Sequence, residues 1–197
     1  MNYSTKWIKV SRDELLKDLA EKIKPSRYQH VLRVEQTAIE LAQANQVDIE
    51  KASIAALMHD YAKDYPLDEM KALAQQYWNY PLLNEAGGNI WHGFAAAIIA
   101  KQDYGITDKD ILNAIAVHTI GWHAMTPLMS VIFIADYIEP GRNFPGVETV
   151  RQITQQSLDQ AVGYKLTHNI QYLLQQQQPL FLPTIDFYNQ WIKNNMV

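Results

Sequence analysis

Apolar residues in this chain recur every three or four positions and almost nowhere alternate, the spacing that gathers them on one face of a helix. Ser11 and Glu14 form a capping box, after which Leu15, Leu16, Leu19 and Ile23 carry the pattern to Pro25. Ser26 with Gln29 reads as a second box, opening a helix with Arg27, His30, Val34, Ala38 and Leu41 that ends near Asn45. A third helix is predicted from Asp48 through Ala52, Ala55, Ala56, Met58 and His59 to the break before Pro66, and a short fourth from Leu67 to Tyr77. Asn79 to Gly88, with Pro81, Gly87 and Gly88, reads as a loop.

The next helix starts near Asn89 or Ile90, passes His92, Ala95, Ala96 and Ile99, and stops at Gly105. Thr107 with Asp110 caps another through Ile111, Ala114, Ile115 and His118. Thr126 as N-cap and Pro127 at the first helical position open Leu128 to Ile138, which Pro140 and Gly141 close. Val147 to Gln176 carries a long helical pattern with a break near Ser157 and most of a glutamine enrichment, read as solvated helix surface. Beyond Pro179 and Pro183 a short amphipathic turn holds Ile185, Tyr188 and Trp191. No stretch reads as a strand and none repeats, so the expected fold class is all-α.

A length of 197 residues suits one domain spanning the chain, with a core over about 25–140 and C-terminal helices, 147–193, packed on it. A net charge of -4 argues against neutralising long stretches of nucleic-acid phosphate, so no nucleic-acid polymer is expected as partner. The absence of cysteine excludes disulfides, zinc ribbons, iron-sulfur clusters and a thiol nucleophile, and any metal must be held by nitrogen and oxygen. The longest apolar runs, Phe94 to Ala100 and Val131 to Ala135, are too short to span a bilayer, and a cytoplasmic protein with no membrane partner is expected.

Against this background some histidines and aspartates fall where apolar residues belong. His118 follows Ile115 and Ala114, Asp136 follows Phe133 and Ile132, and His59 follows Ala56 and Ala55, so each polar group is stacked on the face expected to be buried. His30 precedes Val34 on its stripe, and His92 lies in a first turn ahead of Ala95 and Ala96. Any one of these alone reads more simply as a core histidine bonded to a carbonyl. Together they read as a metal site, since an unpartnered buried aspartate costs several kcal/mol. Neighbours on a helix point about 100° apart, which lets Asp60 bridge two ions while His59 binds one.

The order His30, His59-Asp60, His92, His118, Asp136 resembles the H…HD…H…H…D signature of dinuclear HD-domain proteins. The stretches RYQHVLRVEQTAIELA, ALMHDYAKDYP, NAIAVHT and VIFIADYIEPGRNFPGVETVR are similar to the YqeK family of bacterial HD hydrolases, over most of the chain from Pro25 to Tyr188. The resemblance implies an HD-domain helical bundle and symmetrical hydrolysis of diadenosine tetraphosphate to two ADP on a di-iron site. It further implies that His30, His59, Asp60 and Asp136 bind one metal and His92 and His118 the second, with Asp60 between them. A ligand set of imidazole and carboxylate suits iron, manganese, cobalt or zinc, and iron is favoured by the resemblance.

Helix geometry then recruits neighbours. Arg27 lies three residues before His30, Lys63 four after His59 and Asp64 four after Asp60, so all three are expected to line one mouth. Lys63 and Arg27 are candidates for holding a polyphosphate, Asp64 for orienting a ligand or transferring a proton, and Arg142 for a further phosphate contact. Each has the plainer reading of a solvated surface charge. After His118-Thr119 the family reads Thr or Ser, Gly, Arg, Pro, where this chain has Ile120-Gly121-Trp122-His123. His123 is thus a candidate phosphate contact in place of the arginine, or Trp122 a stacking surface for a base. His168 has no companions and reads as structural. The expected partner is a dinucleoside polyphosphate or another nucleotide, with a homodimer as an option. Competing readings are a hydrolase of another nucleotide, a di-iron HD oxygenase, and a module that binds nucleotide without turnover.

Overall fold

The computed structural model describes residues 1–195, in which ten α-helices and one 3₁₀ turn occur and no strand. Among these residues no helix is long and apolar enough to cross a membrane. Helix α1 (Arg12–Lys22) starts at the expected Ser11–Glu14 capping box. Helix α2 (Pro25–Ala44) begins before the Ser26–Gln29 pair: Lys24 is its N-cap and Pro25 takes its first position. Proline's fixed φ and missing N–H suit that place, so it wins over the serine box. Helix α3 (Ile49–Met58) is capped by the Asp48 carboxylate, which accepts from the Glu50 and Lys51 amides. A buried clamp ties these three together, because Glu35 on α2 accepts from the Arg12 guanidinium at 2.6 and 2.7 Å and from Ser53 Oγ on α3 at 2.5 Å.

Helix α4 (Leu67–Tyr77) leads into a loop that contains the 3₁₀ turn Pro81–Glu85, and α5 (Gly88–Gln102) starts slightly earlier than expected. Helix α6 (Lys109–Val117) is capped by Asp108, not Thr107; Asp110 instead accepts from Thr126 Oγ1 at 2.5 Å. Helix α7 (Pro127–Ile138) has the expected Thr126 cap and is apolar nearly all round. Such a helix must be surrounded, and α2, α3, α6 and α9 (Leu158–Gln175) all pack on it. Its Phe133 is 1% exposed, a burial that stabilises the fold by on the order of 2–3 kcal/mol. Helix α8 (Val147–Gln156) is separated from α9 by the break at Ser157. The tail forms a full helix, α10 (Leu182–Asn195), where a short turn was expected.

Small residues set the spacing at the centre. Alanines 95, 96, 97 and 100 of α5 are fully buried, as are Ala52, Ala55 and Ala56 of α3. At Gly93 the neighbour is backbone, which cannot give way: a Cβ there would lie 2.6 Å from the Ala116 carbonyl oxygen and 3.2 Å from His118 Nδ1. Only glycine lets α5 press its His92 turn against the end of α6.

Candidate metal centre

Five separate segments deliver the six residues singled out in the sequence. His30 projects from α2, His92 from α5 and Asp136 from the last turn of α7, whereas His59 and His118 are the C-cap residues of α3 and α6. Carbonyls in the last turn of a helix lack amide partners. Both cap imidazoles use this: His59 Nδ1 lies 2.6 Å from the Ala56 carbonyl and His118 Nδ1 2.8 Å from that of Ile115. His92 Nδ1 lies 2.9 Å from the Gly88 carbonyl, and His30 Nδ1 3.1 Å from Glu139 Oε1. A carbonyl or carboxylate can only accept, so the Nδ1 atoms of His30, His59 and His118 carry the proton and their Nε2 atoms present bare lone pairs; His92, whose Nδ1 also meets Lys63 Nζ at 3.3 Å, presents its Nε2 in the same way when Nδ1 donates to Gly88.

Those lone pairs converge. His92 Nε2 and His118 Nε2 are 3.0 Å apart, and Asp60 Oδ1 lies 3.1 Å from the first and 3.8 Å from the second. On the other side, Asp60 Oδ2 is 3.7 Å from both His30 Nε2 and His59 Nε2, while Asp136 Oδ1 is 3.2 and 4.0 Å from them. His30 Nε2 and His59 Nε2 are buried with no hydrogen-bond partner. Acceptors facing acceptors in a buried space repel unless a cation lies between them, and such orphaned nitrogens are what a metal ion satisfies. Two groups, His30–His59–Asp60 and Asp60–His92–His118, are compact enough to hold one ion each, and Asp60 belongs to both. The buried imidazole and carboxylate set thus fits a divalent-metal site.

The surroundings favour the protonation states that such a site needs. Burial pushes the His59 imidazole down from its ordinary range, against the pull of Asp60 and Asp136, and takes His118 well down with help from neighbouring His92 and His59. Burial alone would raise the Asp60 and Asp136 carboxyls, yet both stay well below the usual carboxylate range, Asp136 with the Lys165 ammonium and the Arg142 guanidinium beside it. Neutral imidazoles and ionised carboxylates are the ligand forms of these groups.

The predicted rim residues divide. Arg27 Nη1 sits 2.6 Å from Asp60 Oδ2, and Arg142 Nη2 2.5 Å from Asp136 Oδ1, so both guanidiniums border the cluster. Lys63 reaches it as well, with Nζ 3.3 Å from His92 Nδ1 and 3.1 Å from Asn89 Oδ1. Asp64 does not join them. Its carboxylate accepts from the Lys24 amide at 3.2 Å and pairs with Lys24 Nζ, holding the start of α2. The expectation assumed that α3 continues past His59. The helix ends at Met58, and the bonds from Tyr61 N to Met58 O, Lys63 N to Asp60 O and Tyr65 N to Ala62 O close three-residue turns, so four-residue spacing no longer aligns side chains.

His123 is exposed, with its ring 5.0 Å from that of Trp122. Trp122 packs edge-on against Trp78 at 4.9 Å and borders a cavity of about 140 Å³ with Tyr77, Phe94, Asn113 and Met129. His168 lies away from the cluster, among Tyr137, Phe144 and Tyr164, its Nδ1 2.6 Å from the Tyr137 hydroxyl.

Two residues the sequence reading missed touch the cluster from behind. Glu139 orients His30 and is itself held by Arg33 Nε and the Gly141 amide, each at 2.5 Å. A carboxylate at a helix C-terminus opposes the helix dipole, and that is a signal for a fixed partner. Lys165 on α9 is buried, with burial pushing its ammonium down to about 8. It follows Ala161 and Val162 at four and three residues, the same stacking on an apolar face that singled out the histidines.

A helical bundle whose centre gathers four imidazoles and two carboxylates defines the class, that of the metal-dependent HD proteins. The family model described as HD domain matches residues 27–141, and the chain belongs to the HD-domain family. It is 39% identical over 183 residues to the "Bis(5'-nucleosyl)-tetraphosphatase, symmetrical" of Bacillus subtilis, covering 93% of this chain and 98% of that one. The protein of the same name from Staphylococcus aureus is 39% identical over 86% of this chain and 88% of its own. Among solved structures, a "predicted HD superfamily hydrolase involved in NAD metabolism" from Clostridium acetobutylicum matches with a TM-score of 0.85 and 35% identity, over 94% of this chain and 99% of that one.

Proposed function

We propose that the chain hydrolyses diadenosine tetraphosphate symmetrically to two ADP, with two metal ions, iron by preference, held by His30, His59, Asp60 and Asp136 on one side and by Asp60, His92 and His118 on the other. The observation that carries the reading is the division of Asp60, whose two oxygens face separate histidine pairs. Metal ions in such a pair polarise phosphoryl oxygens and acidify water.

The chain's own residues supply the rest. Arg27, Lys63 and Arg142 border the cluster from α2, the turn after α3 and the end of α7, and three cations suit a polyphosphate better than a neutral substrate. On substrate entry Arg27 and Arg142 turn from the carboxylates to phosphate oxygens, fixing the chain so that an inner phosphorus lies over Asp60. There a water oxygen bonds to that phosphorus and releases its proton to solvent, the bond from the phosphorus to its bridging oxygen breaks, and one ADP departs with that oxygen while the other carries the water's. Lys63 offsets the charge that grows on the departing group. The aromatic cavity offers a base its stacking surface: Met129 borders it from the face of α7 that carries Asp136, seven residues or about 10 Å along the axis.

The names of the relatives support the same substrate. The test is a hydrolysis panel of dinucleoside polyphosphates, guanosine tetraphosphate, deoxynucleotides and cyclic dinucleotides on protein of measured metal content. Preferential turnover of diadenosine tetraphosphate is expected. Oxygen uptake by the reduced protein without phosphohydrolysis would overturn the reading in favour of an oxygenase.

A further inference from the structure

Lys165 reaches the centre from α9, well beyond the segment matched by the family model, which ends at residue 141. Its ammonium donates to the Phe133 carbonyl at 2.6 Å and to the His118 carbonyl at 3.3 Å, and lies 3.9 Å from Asp136 Oδ2. The first carbonyl is one turn before Asp136 on α7, and the second belongs to the residue that caps α6. Every oxygen it addresses therefore belongs to, or immediately supports, a residue that faces the cluster.

Asp136 has two cationic neighbours of different kinds. Arg142 meets Oδ1, the oxygen turned to His30 and His59, from a side chain 39% exposed, free to turn toward an anionic ligand. Lys165 meets Oδ2 from the core side, with its side chain 3% exposed and the Phe133 ring 3.7 Å away, so it cannot leave. A buried ammonium is costly, and packing alone is served as well or better by an apolar side chain of similar length. The arrangement has a use if the charge is needed to keep Oδ2 turned inward and Oδ1 turned to the imidazoles.

We propose that Lys165 is a positioning residue for the metal centre, fixing which oxygen of Asp136 is offered to the ion and holding the backbone that presents His118, so that helix α9 completes the site. The inference rests on the reading of Asp136 and His118 as ligands.

The test uses chelator-stripped full-length chain and Mn²⁺ alone as probe, read by competition with a chelator, alongside thermal unfolding of the stripped protein and kcat and KM with diadenosine tetraphosphate. For Lys165→Met the expectation is an unfolding temperature equal to or above wild type, an Mn²⁺ affinity about 10–100-fold weaker, and a loss mainly in kcat. Because the chain has no cysteine, Lys165→Cys can be aminoethylated selectively while unfolded and then refolded, which restores an ammonium at nearly the original reach. Recovery of Mn²⁺ affinity in the aminoethylated form over its unmodified parent is expected, and this comparison decides the matter if Lys165→Met does not fold. Wild-type Mn²⁺ affinity in Lys165→Met, or no recovery on aminoethylation, would overturn the proposal alone. A wild-type chain that binds no Mn²⁺ would overturn it together with the ligand reading.

Discussion

His92 and His118 hold their Nε2 atoms 3.0 Å apart, each with Nδ1 turned to a carbonyl on the far side of the ring. Two lone pairs at that distance favour the fold only with a cation to share. Metal removal is therefore expected to destabilise the protein. At a free metal concentration about 100 times Kd the linkage is worth about 2.7 kcal/mol, which in a chain of this size corresponds to roughly 5–10 °C in Tm. Scanning calorimetry with and without chelator checks this, and Asp60→Ala should unfold at one temperature in both conditions and hold neither ion.

Glu139 stands behind His30 as a carboxylate fixing an imidazole tautomer. Glu139→Ala is expected to weaken metal binding about 10–100-fold, and Arg33→Ala less, because the Gly141 amide still holds Glu139. Metal titration of the two stripped variants gives the order; equal losses would show that Arg33 is the true anchor.

The rim is expected to act on substrate and not on metal. Arg27→Ala and Lys63→Ala should keep both ions yet lose diadenosine tetraphosphate turnover by about 10²-fold or more in kcat/KM, while Trp122→Ala should raise KM with little change in kcat. His123→Ala should have a small effect, since its ring is exposed. Wild-type kinetics in Arg27→Ala would return that residue to the role of a surface charge.

Much of this centre could be read from the sequence because its ligands break a pattern. A histidine at His118 or an aspartate at Asp136 stands out only because the residues three and four positions earlier are apolar. The helices were legible for the same reason, and their ends wherever one cap signal stood alone, as at Ser11 and Thr126. Where two signals competed the weaker reading lost, to Pro25 over Ser26 and to Asp108 over Thr107. Asp64 was misdirected because helical spacing was extended through residues 59–65, where the chain tightens into three-residue turns. Glu139 and Lys165 escaped for a different reason. Their roles lie in contacts across 109 residues to His30 and 47 to His118, separations that no local periodicity encodes.

Acid should weaken the metal-free fold before it reaches the carboxylates. His59 and His118 have folded pKa values below 6.5, so as pH falls through 6.5 the unfolded chain takes up protons that the folded chain does not, and stability falls. Asp60 and Asp136 lie below 3.8 in the fold and lose their contribution only below that pH. The stripped protein is thus expected to show a Tm that declines from about pH 7 to about pH 5.5. An unchanged Tm over that interval would mean that the imidazoles are not buried in neutral form.

The position of bond cleavage tests the central claim, that the paired triads and their cationic rim hold the inner phosphates of a dinucleoside tetraphosphate over Asp60. Diadenosine tetraphosphate is incubated with the metal-loaded chain in oxygen-18 water and the products are resolved by mass spectrometry. The account predicts ADP as the sole nucleotide product, one label for every two ADP formed, and no AMP. AMP together with ATP would show that the substrate is gripped in another register and would contradict symmetrical hydrolysis.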